Sequence, residues 1–138
     1  MMAGRVTRMH SSARDAIIAH ARAEAPLECC GLLLGATGVV EEACGTRNMR
    51  RSQTTYLVDP ADHFAAIRKA RRSGQAILGA YHSHPRSPAV PSPTDVQEAW
   101  DAGFLYVIVS LADAEAPDVR GYYIEAYAFV HAPLVIIR

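Results

Sequence analysis

The sequence predicts a layered α/β fold, and two features of the chain lead to this prediction. Helical segments alternate with short strand-like segments, which is typical of folds that pack helices on a sheet. Phe104–Leu111 (FLYVIVSL) is apolar on both of its alternating faces apart from one serine, which indicates a strand buried from two sides. Such a strand requires cover on both faces of its sheet, so three layers, α-β-α, are expected.

The chain is expected to begin with a helix and two strands. Ser11 or Ser12 is a suitable N-cap for a helix that runs to about Glu24, and a proline two residues later ends it. Gly31–Gly35 (GLLLG) has the composition of a short apolar strand between glycines. Val39–Gly45 is expected to continue the sheet after a turn.

A further strand and a second helix follow. Thr54–Val58 is rich in β-branched and aromatic residues, which favours a strand. Asp59 and Pro60 have the pattern of an N-cap and a first helical position, so a helix is expected from there to Ser73-Gly74. The apolar face of this helix is predicted to carry Phe64, Ile67 and Ala70.

The second half of the chain continues the same alternation. Ala76–Tyr81 is an apolar strand, and the proline-rich segment Pro85–Pro93 follows it. Ser92 then caps a third helix, which opens with proline and continues through Trp100. The last strands are expected at Phe104–Leu111, Arg120–Val130 and Leu134–Ile137.

Length and composition restrict the possible functions. The 138 residues fit a single domain, 1–138, and half of them are hydrophobic, which is enough for a core of its own. The 14 basic and 14 acidic side chains balance, so no overall field recruits nucleic acid or an anionic membrane. The longest apolar run is far too short to span a bilayer. We expect neither nucleic acid nor a membrane as a partner.

The termini and cysteines predict a reduced, cytoplasmic protein. Met1–Arg14 is basic but leads into no apolar segment, so no secretory signal is expected. The three cysteines, Cys29, Cys30 and Cys44, form an odd set in which two are adjacent. Adjacent cysteines rarely satisfy disulfide geometry, so no disulfide is expected.

The segment Tyr81–Asp95 (YHSHPRSPAVPSPTD) contains the residues with the strongest indication of chemistry. Residues two apart in a strand point to the same face, so His82 and His84 can converge on one point. Asp95 would lie in the first turn of the third helix, where the helix dipole favours a carboxylate. Two imidazoles and one carboxylate form a typical catalytic zinc site, which leaves a fourth position for water.

A purely structural interpretation of these residues is also available. Two histidines two apart often have no function, and Ser92 with Asp95 matches a helix capping box, which by itself explains both residues. The two interpretations are compatible, because a capped helix also holds Asp95 in position. The location favours a site, since ligands of open α/β sheets usually bind where strands end.

Two segments together resemble a known family. His82-Ser83-His84, seven residues, Ser92, two residues and Asp95 agree at every position with the signature of the JAMM/MPN+ metalloproteases. Upstream, Pro26–Gly35 (PLECCGLLLG) is similar to the segment that carries the catalytic glutamate in that family. The resemblance extends from about residue 5 to 138 and implies a mixed sheet in the JAB/MPN, cytidine-deaminase-like fold, in its minimal prokaryotic form.

The resemblance also implies the roles of the site residues. His82, His84 and Asp95 would bind Zn²⁺, Glu28 would accept a proton from water and deliver one to the leaving amine, and Ser92 would donate to the developing oxyanion. Spacing alone does not distinguish Glu28 from other acidic residues, so its assignment depends on the family. The alternatives are Glu24, Glu41 and Glu42.

The substrate implied by the resemblance is a small ubiquitin-like or sulfur-carrier protein. The reaction would be cleavage of a peptide or isopeptide bond after its C-terminal Gly-Gly, in some relatives with release of cysteine. Its tail is expected to lie along Pro85–Pro91, near Arg86. The alternative is a non-catalytic MPN-type interaction module, which usually lacks some of the ligands. The oligomeric state is open, and a homodimer is compatible with the sequence.

Overall fold

The computed structural model describes residues 8–99 and 101–138, which form one mixed sheet with helices on both faces. None of the described helices is long and apolar enough to cross a membrane. In chain order the elements are β1 (Arg8–His10), α1 (Ser11–Glu24), β2 (Cys30–Ala36), β3 (Val39–Thr46), α2 (Pro60–Arg72), β4 (Ala76–His84), α3 (Pro93–Glu98), β5 (Leu105–Ser110), β6 (Asp118–Glu125), β7 (Ala128–Ala132) and β8 (Val135–Ile137).

The sheet has eight strands in the order β7-β6-β5-β4-β2-β3-β1-β8. The pairs β4–β5, β1–β3 and β1–β8 are parallel, and the other neighbours are antiparallel. The two central positions are those of β4 and β2, and β5 is an interior strand next to β4. Every residue of β5 is buried. This confirms the prediction of a strand covered on both faces.

Alternate residues of β2 belong to two separate cores, which defines the three layers. Leu33 packs in one cluster with Ile17 of α1, whereas Leu32 packs in another with Ala66 of α2. Adjacent residues of a strand point to opposite faces, so the two helices cover opposite faces of the sheet. The predicted α/β class with a mixed sheet is confirmed.

The predicted strand Thr54–Val58 is wrong. Within this segment only Val58 makes a ladder contact, an isolated bridge to Asn48. The Asn48 side chain instead binds backbone groups of Thr55 and Leu57. A short polar side chain that takes up backbone hydrogen bonds in this way stabilises a loop in place of a strand.

The predicted start of the first helix is also wrong in detail. His10 is the N-cap, without a side-chain hydrogen bond, and Ser11 already lies in the helix. The reason is that β1, which the sequence did not reveal, runs directly into α1 without a loop.

The second helix begins as expected, with the Asp59 side chain accepting from the N–H of Ala61. However, the predicted apolar face is wrong at Phe64, which is 63% exposed. The residues of α2 that are buried against the sheet are the small Ala66 and Ala70.

The remaining differences lie near the ends of elements. The predicted strand Arg120–Val130 is divided into β6 and β7 by a turn at Ala126 and Tyr127, which have φ of 50° and 65°. Two positive φ angles are typical of the tight hairpin turns for which asparagine and glycine are the usual signal, and neither is present here. Helix α3 ends at Glu98, and Trp100, its predicted end, lies outside the described residues.

Candidate metal centre

Strand β4 continues past its predicted end at Tyr81 and includes both histidines. His82 and His84 therefore have the two-residue spacing of one strand face. They share this face with Ala80, which packs against α2. Both rings are almost fully buried, with 2% and 4% of the residue exposed. Burial at the end of a central strand restricts the orientation of both rings.

Asp95 reaches the histidines from the first turn of α3. Ser92 is the N-cap, with its Oγ accepting from the N–H of Asp95 at 3.0 Å while Asp95 Oδ2 accepts from the N–H of Ser92 at 2.9 Å. The predicted capping box is therefore present. The same box directs the carboxylate inward, where only 4% of the Asp95 side chain is exposed.

The three side chains meet in a nearly equilateral triangle. The Nε2 atoms of His82 and His84 are 3.2 Å apart, and each lies 3.1 Å from Oδ2 of Asp95. Tetrahedral zinc with bonds of about 2.0–2.1 Å requires neighbouring ligand atoms roughly 3.3 Å apart. The triangle thus has the dimensions of one face of a tetrahedral zinc site, and this group could hold a metal ion.

The tautomer of His84 gives independent support for a cation. Its Nδ1 lies 2.8 Å from the Pro88 carbonyl oxygen, which can only accept, so Nδ1 carries the hydrogen. In the neutral ring Nε2 is then bare, and its lone pair faces Oδ2 of Asp95 at 3.1 Å. Two acceptors at this distance require a positive charge between them. Burial lowers the pKa of His84, but the contacts with Asp95 and Pro88 raise it overall. The pKa rises because a proton on Nε2 can partly supply the positive charge between the two atoms.

The charges of the other two groups also suit a metal. Burial lowers the pKa of His82, which favours the neutral ring that a metal requires. Burial acts against ionisation of Asp95 as well. However, the close contacts of Oδ2 with both imidazoles and with the N–H of Ser92 hold the pKa of this carboxyl well below its ordinary range. At neutral pH the group therefore offers a neutral imidazole and a carboxylate.

Glu28 lies beside this group because of the register between β2 and β4. Cys30 pairs with His82, and the N–H of Ser83 donates to the Cys29 carbonyl at 3.1 Å. Continuing this antiparallel register places Glu28 opposite His84, on the same face of the sheet. Burial raises the pKa of Glu28 to about 8, while His84 acts to lower it and Asp95 to raise it. The Glu28 carboxyl is therefore close enough to the group to interact with it electrostatically.

The Glu28 carboxyl has an open hydrogen-bonding position. The residue is 2% exposed, and its buried Oε1 has no hydrogen-bond partner within the described chain. A buried polar atom without a partner is uncommon and calls for an explanation. The other acidic candidates point elsewhere: Glu41 accepts from Gln75, Glu42 binds Lys69, and Glu24 is an exposed residue at the end of α1. Of these four, the structure brings only Glu28 to the histidines.

Two contributors to the site had no signal in the sequence. The Tyr56 ring stacks on His82, with centroids 4.4 Å apart and an angle of 19° between the rings. Asn48 binds the Glu28 carbonyl through Nδ2 at 3.2 Å. Both residues belong to the loop Arg47–Val58, where no periodic pattern distinguishes a site residue from a surface residue. Only the distances reveal them.

The proline-rich segment after β4 is held by successive carbonyls. The Ser87 carbonyl accepts from Ser110 Oγ at 2.6 Å, that of Pro88 binds His84, and that of Ala89 accepts from Tyr122 Oη at 2.6 Å. These contacts give the segment a defined backbone conformation next to the histidines. Arg86, which the sequence analysis associated with this segment, is exposed.

A cysteine nucleophile is disfavoured by its surroundings. Cys29 and Cys30 are buried and, like Cys44, free thiols. Burial raises the pKa of Cys30 to about 11, against the effect of a contact with Thr46. A buried thiol with a raised pKa forms little thiolate at neutral pH and is unreactive.

Two cavities flank the candidate centre. A cavity of about 460 Å³ lies on the side of Tyr56, and another of about 300 Å³ includes Glu28 in its lining. Further residues of the larger one are mainly apolar and include Leu32, Val58, Ala80, Phe104 and Tyr106. The candidate centre thus meets one cavity through Tyr56, which stacks on His82, and the other through Glu28.

Comparison with known proteins agrees with this geometry. The chain is 33% identical over 126 residues to the CysO-cysteine peptidase of Mycobacterium tuberculosis, with 90% of this chain and 86% of the relative covered. It is 36% identical over 107 residues to a desampylase of Haloferax volcanii, with 72% and 77% covered.

Solved structures show the same fold. The solution structure of a protein from Desulfitobacterium hafniense matches with a TM-score of 0.87 at 30% identity, covering 94% of this chain and 92% of that one. A JAB1/MPN domain protein from Archaeoglobus fulgidus matches with a TM-score of 0.65 at 19% identity, covering 95% and 99%. The family model for prokaryotic homologues of the JAB domain matches residues 10–125. This chain therefore belongs to the family of prokaryotic homologues of the JAB domain.

Proposed function

We propose that this protein is a zinc-dependent hydrolase that cleaves peptide or isopeptide bonds after the C-terminal Gly-Gly of a ubiquitin-like or sulfur-carrier protein. The observation that carries the proposal is the triangle of ligand atoms from His82, His84 and Asp95, with edges of 3.1–3.2 Å, beside the unpartnered Oε1 of Glu28. Relatives named as a peptidase and as a probable protease support a hydrolase.

His82, His84 and Asp95 would hold the zinc ion, which when bound acts as a Lewis acid toward the scissile carbonyl and lowers the pKa of water. Glu28 would act as general base and then as general acid. Its carboxylate would accept a proton from the attacking water and deliver one to the leaving nitrogen.

Ser92 would stabilise the developing oxyanion. Its Oγ already accepts from the N–H of Asp95, so its orientation is restricted while its hydroxyl hydrogen remains able to donate. Loss of one such donor costs about 3 kcal/mol of transition-state stabilisation in other hydrolases. A loss of this size corresponds to a fall of roughly 100-fold in kcat, which is expected for Ser92→Ala.

The names of the relatives and the burial of the candidate centre support this substrate class. The names of the relatives refer to cleavage of CysO-cysteine and of TtuB-protein conjugates. A glycine tail suits a buried centre, because only a chain without side chains approaches so closely. The tail would lie beside the ordered segment Pro85–Pro91 and donate and accept main-chain hydrogen bonds there.

Intact mass analysis of a carrier-protein conjugate tests the proposal. We expect about one zinc per chain and hydrolysis after the final glycine by the native protein. Glu28→Gln is expected to retain the zinc and to lose most turnover, because Glu28 would contact the water and not the metal. Full turnover in Glu28→Gln would exclude it as the base. Absence of zinc and of hydrolysis in the native protein would favour an interaction module.

Glycine selection is tested with the same assay. Conjugates whose last two residues are changed to alanine or valine should be cleaved far more slowly than the Gly-Gly form. The matched control changes a residue further from the scissile bond. Equal cleavage of all forms would contradict selection for glycine and remove the physical basis for a carrier-protein tail as the substrate.

A further inference from the structure

The loop Arg47–Val58 contacts the candidate centre at two separate places. It holds the backbone of Glu28 from both sides, since the Glu28 N–H donates to the Ser52 carbonyl at 2.8 Å and the Glu28 carbonyl accepts from Asn48 Nδ2 at 3.2 Å. It also places the Tyr56 ring on His82 at 4.4 Å. One loop therefore supports both the proposed base and a proposed ligand.

The conformation of this loop depends on the amide of Asn48. Nδ2 donates to the Thr55 carbonyl at 3.1 Å in addition to that of Glu28, and Oδ1 accepts from the N–H groups of Arg50 and Leu57, both at 3.0 Å. All four hydrogen-bonding positions of the amide are thus used on backbone groups. Its partners come from the start of the loop, the end of the loop and the segment just before β2.

The position of these partners connects the two contacts. Thr55 and Leu57 are the immediate neighbours of Tyr56, so Asn48 holds the backbone on both sides of the ring that stacks on His82. The same Nδ2 binds the carbonyl of Glu28. A shift of the Asn48 amide would therefore move the proposed base and the stacked ring relative to each other.

We propose that Asn48 is a positioning residue for hydrolysis, which acts by holding Glu28 and Tyr56 in register with the His82, His84 and Asp95 group. This inference depends on the proposed function. Asn48 itself binds backbone groups and contacts neither the proposed ligands nor reacting atoms, so its effect is on geometry. Misplacement of a catalytic group by about 1 Å can lower a rate roughly 100-fold.

The main test is Asn48→Asp, which retains the shape and the two accepted hydrogen bonds but loses both donated ones. We expect kcat to fall at least about tenfold with little change in KM. At saturating zinc the zinc content should stay the same, because the substitution removes none of the three proposed ligands. The matched control is Gln53→Ala, which removes an exposed side chain of the same loop and leaves the Ser52 carbonyl on the N–H of Glu28. The control should retain nearly full turnover.

A second variant covers the case in which Asn48→Asp does not fold. Asn48→Gln retains every donor and acceptor but displaces the amide by one methylene group. A positioning role predicts lowered kcat in this variant too, with zinc retained. Native kcat in a folded Asn48→Gln protein would show that any nearby amide suffices, and the inference would be wrong.

The pairing with Glu28 is tested by a double variant under single-turnover conditions. If Asn48 acts largely through Glu28, adding Asn48→Asp to Glu28→Gln should cause little further loss of the residual rate. The same fold-loss in both backgrounds would overturn the inference. The two proposals fail differently: native kcat in Asn48→Asp with an inactive Glu28→Gln contradicts only the positioning role. Full turnover in Glu28→Gln contradicts the proposed base as well.

Discussion

The end of β4 and the loop Arg47–Val58 both contribute to the candidate centre, but they hold their side chains by different means. In β4 the ladder to β2 and β5 sets the backbone positions of His82 and His84. In the loop, regular pairing is absent apart from the Asn48–Val58 bridge, and the Asn48 amide takes its place. A regular element thus places ligands through backbone geometry, whereas an irregular one requires a dedicated side chain.

This difference has consequences for substitution. A change in the β4 group should remove the chemistry and leave the sheet intact, because its backbone pairing does not use the imidazoles. A change in the loop should shift the positions of Glu28 and His82 in the candidate centre but leave the three proposed ligands present. Four predictions test this contrast, in order of decreasing expected effect.

The largest effect is expected for the double variant His82→Ala/His84→Ala. Loss of two of three proposed ligands should abolish zinc binding and turnover, while the core remains large enough to fold. Metal analysis and the conjugate assay measure both quantities. The matched control is His131→Ala on the exposed strand β7. Unchanged zinc stoichiometry in the double variant would exclude these residues as ligands.

The second prediction concerns pH and the stability of the metal-free protein. Glu28 has its pKa raised from 4.5 to about 8, so above its unfolded pKa the folded state binds more protons than the unfolded state. The free energy of unfolding should therefore fall as pH rises between these values, by at most about 5 kcal/mol. Glu28→Gln cannot ionise and should lack this component.

Urea unfolding of both metal-free proteins at about pH 5 and 8 measures this component as the difference between them. The raised pKa of His84 also lowers stability as pH rises, but this contribution is largely common to both proteins. Parallel pH profiles of the native protein and Glu28→Gln would contradict the raised pKa of Glu28.

A smaller effect is expected for the stacked ring of the loop. Tyr56→Ala removes a stacking contact with His82, which for aromatic pairs is typically about 0.5–1.5 kcal/mol. Zinc affinity should fall up to about tenfold, while Tyr56→Phe retains the ring and should bind zinc like the native protein. Competition with a zinc chelator gives both affinities. If the zinc affinity of Tyr56→Phe is lowered as much as that of Tyr56→Ala, the hydroxyl and not the stacked ring supports His82.

The smallest effect is expected where the loop meets α3. Arg50 donates to both carboxylate oxygens of Glu98, at 2.8 and 2.7 Å, but both side chains are about a third exposed or more. Solvent and salt screen such pairs, so Arg50→Gln should lower the free energy of unfolding by less than about 1 kcal/mol. Urea unfolding at low and high salt measures this. A large, salt-independent loss would show that this pair, and not Asn48 alone, maintains the loop.

The group of His82, His84 and Asp95 could be predicted from the sequence because its determinants are local. The two-residue spacing of His82 and His84 is a property of any strand, and Ser92 with Asp95 is a capping pattern within one helical turn. Local patterns of this kind hold whatever the rest of the chain does. The structure agrees with both, and places the three ligand atoms within 3.2 Å of one another.

Glu28 marks the limit of local information. Spacing left Glu24, Glu41 and Glu42 as alternatives, and only the family resemblance selected Glu28. The structure separates them through the β2–β4 register, which brings residues more than fifty positions apart side by side. Such a register results from the whole sheet and has no local sequence signal.

The sequence by itself determined the α/β class, the strand buried on both faces and the spacing of the candidate ligands, because periodicity and helix capping depend on near neighbours in the chain. Tertiary structure alone decided that Thr54–Val58 forms a loop, that Tyr56 stacks on His82 and that Asn48 binds the backbone of Glu28. The physical reason is that an asparagine with four backbone partners from three segments acquires its role only when the fold brings those segments together.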